Sequence, residues 1–95
     1  MKKVAVLINN ENQQYEGLRS SLGMMLYNTA VQMFVIDKEI ANMDEAYKDN
    51  MAFLDEMEGE RFSNNPDNVE KYGFKYASIE QMGEMLRQAD LIIPF

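Results

Sequence analysis

Residues 2–27 read KKVAVLINNENQQYEGLRSSLGMMLY, and the fold class turns on this stretch. Val4, Ala5, Val6, Leu7 and Ile8 form an unbroken apolar run. A strand wetted on one face would alternate, so the run predicts a strand buried on both faces of a parallel sheet. Residues 9–14 are polar, and then Leu18, Leu22, Met25 and Leu26 recur at helical spacing. The spacing predicts a helix over 15–27, with Asn28 as a left-handed cap. Strand, loop and helix in this order open an α/β domain, whose sites lie at the C-terminal ends of its strands.

Working outward, residues 30–37 (AVQMFVID) place Val31, Met33, Phe34, Val35 and Ile36 in a second strand ending at Asp37. Residues 40–58 return to helical spacing, with Met43, Tyr47, Met51, Leu54 and Met57 on one stripe and acids over the rest. Gly59 ends that helix, and residues 60–63 suffice for a short strand. Asn65 and Pro66 read as N-cap and first residue of a brief helix carrying Val69 and Tyr72, stopped by Gly73. Residues 74–77 form a fourth strand. Ser78 and Gln81 have the spacing of a capping box before a helix with Ile79, Met82, Leu86 and Ala89 on its buried stripe. Leu91, Ile92, Ile93 and Phe95 close the chain as a strand, and Pro94 assigns it to an edge or puts that residue at its end. Gly17 and Gly23 interrupt the first helix, each either at a close approach to the sheet or another subunit, or of no consequence. The order β-α-β-α-β-α-β-α-β predicts a three-layer α/β/α domain over 1–95, with a mostly parallel four- to five-stranded sheet.

Composition narrows the chemistry. The chain has no cysteine and no histidine, so thiol nucleophiles, disulfides and thiolate metal sites are excluded, as is the usual neutral-pH proton shuttle. No signal-peptide pattern and no membrane-length apolar run is visible, which predicts a soluble cytoplasmic protein. The net charge is −7, and nine of the sixteen acids lie between residues 37 and 60 against only Lys38 and Lys48. Such a segment repels a phosphate backbone, so nucleic acid is not an expected partner. The acids lack calcium-loop spacing and read as a solvated helix face, and no cofactor is implied. The loop NNENQQYEG lacks the glycines of a dinucleotide site, the Ser, Thr and Gly of a flavin phosphate loop, and the strand-end acids of a receiver domain.

Three stretches, taken together, resemble the DsrE/DsrF-like family, which includes sulfur-relay subunits of the TusD type. They are the opening strand and loop running into GLRSSLGMML, the second strand VQMFVID, and the closing SIEQMGEMLRQADLIIPF with its aspartate before the last strand and its terminal phenylalanine. The resemblance implies a YchN-like fold, a cytoplasmic location and assembly into dimers, trimers or hexamers. It also implies a persulfide-carrying cysteine in the loop after the third strand. Here that loop is ERFSNNPDN, with Ser63, Asn64 and Asn65 in its place. A serine hydroxyl cannot carry sulfane sulfur, so sulfur transfer by this chain alone is excluded.

Two functions stay open on the sequence. One is a non-catalytic oligomeric binding or scaffold subunit associated with sulfur relay. The other is a small hydrolase-type enzyme with Glu11 as base and Ser63 or Tyr15 nearby. For either, Asn9, Asn10 and Glu11 are expected to face Ser63, Asn64 and Asn65 across a polar cleft, with Arg61 near its base, suited to a small polar ligand or a partner's backbone. Asparagine and serine are also ordinary turn and cap residues. Met24, Met85 and Phe95 are the expected oligomer-interface residues.

Overall fold

The computed structural model describes residues 2–95. The strands are β1 (Lys2–Ile8), β2 (Thr29–Val35), β3 (Glu60–Ser63), β4 (Lys75–Tyr76) and β5 (Leu91–Pro94); the helices are α1 (Gln14–Met25), α2 (Glu45–Glu56), α3 (Pro66–Tyr72) and α4 (Ile79–Arg87). All five strands are parallel, in the order β4-β3-β2-β1-β5. The expected α/β architecture is therefore present, with a wholly parallel sheet.

Handedness decides the layers. From β1 to β4 the chain steps along the sheet in one direction, so right-handed crossovers put α1, α2 and α3 on one face; the return from β4 to β5 puts α4 on the other. The two cores agree. Val4, Val6, Ile8, Val31, Met33 and Val35 pack with Leu18, Tyr47, Met51 and Leu54, and with Val69 and Tyr72. Ala5, Phe34 and Phe62 pack with Met82, Met85 and Leu86 of α4. Val4, Ala5, Val6 and Ile8 are all buried, as the unbroken apolar run requires of a strand covered on both faces.

Local signals set most boundaries. Asn65 accepts from the backbone amides of Asp67 and Asn68 to cap α3, with Pro66 at its first position, and Gly73 closes it at φ 73°. Ser78 and Gln81 form the reciprocal capping box of α4. Asn28 takes the left-handed conformation after α1, at φ 56°. The second helix departs from expectation, because it begins at Glu45 rather than near residue 40. The Asp44 carboxylate caps it through the Tyr47 amide, while the amides of Ile40 and Ala41 are taken by the side chains of Asn68 and Gln14. These long-range bonds hold the segment before Asp44 against α3 and the start of α1 in an irregular, non-helical course. Gly17 does mark a close approach, since a Cβ there would run into the Ile8 side chain, whereas Gly23 faces open space.

Candidate functional site

The C-terminal ends of β2 and β3 are bridged by side chains to the loop after β2. Ser63 is fully buried; its hydroxyl donates to the Val35 carbonyl at 2.7 Å and accepts from the Asn65 amide and Asn68 Nδ2 at 3.1 Å each. Asn68, also fully buried, donates to the Lys38 carbonyl at 2.9 Å and accepts from the Ile40 amide at 2.9 Å. Asn64 clasps Asp37 at both ends, accepting from its amide at 2.7 Å and donating to its carboxylate at 2.9 Å. Asn65 donates to the Asp37 carbonyl at 3.0 Å. Asp37 sits at φ 66°, a conformation that costs a non-glycine residue on the order of 1 kcal/mol, and these bonds hold it there. An exposed ion pair between Lys71 and Glu39 ties α3 to the same loop, and its hydrogen bond to Glu39 holds the Lys71 ammonium above its usual range.

The expected polar cleft is not assembled in this way. β2 lies between β1 and β3, so Asn9 and Asn10 are separated from Ser63 by two strand spacings, about 10 Å, and by the loop that the asparagines pin down. Asn10 accepts from the Asn12 amide and caps a single 3₁₀ turn at Glu11–Gln13; Asn9 donates its amide to the Phe95 carbonyl. Arg61 belongs to the opposite end of the sheet. Its guanidinium makes two 2.8 Å bonds to Asp55 near the end of α2 and one of 2.9 Å to the Tyr72 carbonyl at the end of α3, and it stacks over Phe74. Helix C-termini lie at the N-terminal ends of the strands in such crossovers, so Arg61 cannot form the base of a cleft at the C-terminal ends. A Ser63 hydroxyl that is fully buried and committed to three protein partners is not presented to a substrate.

An open cleft does exist beside this region. It holds about 330 Å³ between the start of α1 and the segment leading into α2, and Glu11, Gln14, Tyr15, Asn42, Asp44 and Tyr47 are among its lining residues. Of the expected site residues only Glu11 lies there, together with Tyr15 from the hydrolase alternative. Gln14 is buried and joins the two walls, donating to the Glu39 carbonyl at 3.1 Å and accepting from the Ala41 amide at 2.9 Å. Tyr47 is 1% exposed, and its hydroxyl meets no hydrogen-bond partner among the described residues. Burial pushes the Tyr47 phenol well above its usual range, an effect that the charge of Arg61 only partly opposes.

Sequence reasoning passed over Asn68, Gln14 and Asp37. Asn68 stands in a short polar helix and looks like solvated surface; the one available signal was that ERFSNNPDN carries more asparagine than a single cap needs. Met24, Met85 and Phe95, expected at an interface, are half-buried against the chain's own cores. The exposed apolar side chains include Leu26 (77%), Tyr27 (75%), Leu91 (46%) and Ile92 (43%) instead. No helix among the described residues is long and apolar enough to cross a membrane. Comparison with protein-family models, with curated proteins and with solved structures found no match.

Proposed function

We propose that this chain is a non-catalytic binding or scaffold subunit of the DsrE/DsrF-like type, cytoplasmic and oligomeric, associated with sulfur-relay chemistry without carrying sulfur itself. The observation that supports this reading is Ser63. In the resemblance its region would hold the persulfide, yet here a buried hydroxyl ties β3 to β2 and to α3. The position serves the fold, and no thiol elsewhere can take over the chemistry. Binding is left to the outer surfaces, where apolar side chains stay exposed.

Two measurements test it. The purified protein, incubated with a cysteine desulfurase and cysteine, keeps its intact mass; a stable gain of one sulfur atom overturns the reading. A Ser63→Cys variant resists thiol alkylation while folded and reacts once unfolded, because the site is closed to solvent. Rapid labelling of the folded variant would show an open reactive position and refute the structural role.

A further inference from the structure

The sheet has two unlike edges. At one, β4 is two residues long and Lys75 reaches across to Glu60, devices that blunt an edge against pairing. At the other, β5 is apolar, with Leu91 and Ile92 exposed. In a parallel ladder, alternate residues turn both backbone groups to the same neighbour. Phe95 donates to the Leu7 carbonyl and accepts from the Asn9 amide, and the register pairs Leu7 with Pro94, so Leu91, Ile93 and Phe95 bond toward β1. Ile92 and Pro94 therefore turn their backbone outward. Pro94 has no N–H, and Asp90 already gives its own to the Lys3 carbonyl. Ile92 is left as the one residue of β5 with both an N–H and a C=O directed away from the sheet.

We infer that β5 pairs with β5 of a second copy, antiparallel across a two-fold axis at Ile92, to join two sheets into one of ten strands. Each Ile92 gives its N–H to the carbonyl of the other, the reciprocal exchange of an antiparallel hydrogen-bonded pair. The ladder stops there on both sides, because the next pair sets Pro94, which lacks a donor, against Asp90, whose donor is occupied. The contact is closed and isologous, and it does not propagate into a fibre. On the α4 face the two Ile92 side chains cover one another, and on the other face Leu91 meets Ile93 of the second copy.

Charge favours a second copy as the occupant. A self-complementary contact brings like patch against like patch, which a chain of net charge −7 tolerates only where its acids are absent. β5 carries no charge, and Lys2, Lys3 and Arg87 near its N-terminal end offset Asp90 and Glu84. The acid-rich α2 crosses between β2 and β3, so in this pairing the two copies of α2 lie roughly 30 Å apart, several screening lengths.

This assignment rests on the oligomeric part of the proposed function, and the test separates the two. Light scattering and sedimentation at micromolar concentration are applied to the wild type, Ile92→Pro and Ile92→Lys. The wild type is expected at twice the 11.0 kDa chain mass or an even multiple of it. Both variants are expected to halve that mass while keeping the wild-type circular dichroism. Proline removes an N–H that β1 does not use, and lysine sets two ammonium groups face to face at the axis; if the proline variant fails to fold, the lysine variant decides. A wild-type mass of 11.0 kDa overturns the edge pairing and the oligomeric reading together. An oligomer that persists unchanged in Ile92→Lys overturns the edge pairing alone.

Discussion

Replacing Tyr47 by phenylalanine should stabilise the protein, against the usual outcome for a core substitution. The ring stays in place, packed in the larger core and 6.4 Å from the Tyr15 ring, and only the hydroxyl goes. That hydroxyl is buried and meets no hydrogen-bond partner among the described residues. A buried polar group without a hydrogen bond costs about 1–3 kcal/mol in lost hydration, so its removal should return on the order of 1 kcal/mol. For a chain of this size the gain corresponds to a rise in Tm of about 4–8 °C. A second readout follows from titration. The native chain keeps the Tyr47 proton above the ordinary tyrosine value of about 10, whereas the unfolded chain gives it up. Unfolding then releases a proton, and the sign of the linkage makes wild-type stability fall as pH rises above about 10, by somewhat over 1 kcal/mol per unit. The other four tyrosines are common to both proteins and cancel in the comparison. Urea unfolding at pH 7 and at pH 11 should show the variant ahead at both, with an advantage about 1 kcal/mol larger at the higher pH. Equal stability at pH 7 with parallel pH profiles would refute the reasoning, since the hydroxyl must then have a partner or reach solvent.

Asn68→Ala should destabilise by about 2–4 kcal/mol in denaturant unfolding, because it strands the Ile40 amide and the Lys38 carbonyl and takes one bond from Ser63; a loss below ~0.5 kcal/mol would mean that the loop holds itself in place. The two glycines of α1 should respond with opposite signs. Gly17→Ala drives a methyl into Ile8 and should cost about 1–3 kcal/mol, while Gly23→Ala meets open space and should gain roughly 0.5–1 kcal/mol from helix propensity. Equal effects at the two positions, measured by thermal melting, would contradict the packing of α1 on β1.

What the residues determined by themselves was local. The apolar run of β1 specified a strand covered on both faces, and Asn65, Pro66, Gly73, Ser78 and Gln81 marked helix ends, because caps act over three or four residues and leave a signature of the same length. The lack of cysteine settled the thiol chemistry without any structure. The tertiary structure alone decided which strand ends are neighbours. A parallel crossover has the same sequence pattern whichever strand it joins, so nothing in the chain announced that β2 separates Asn9 and Asn10 from Ser63. The bonds that bind Asn64, Asn65 and Asn68 to the loop after β2 span 27 to 30 residues, far beyond any spacing rule. Residue 40 illustrates the result: its helical periodicity was legible, but the Asn68 side chain that anchors its amide to α3, ahead of the helix start at Asp44, was not. The orphaned hydroxyl of Tyr47 and the outward backbone of Ile92 belong to the same class, since an unmet hydrogen bond is a property of the surroundings, and the surroundings exist only once the chain has folded.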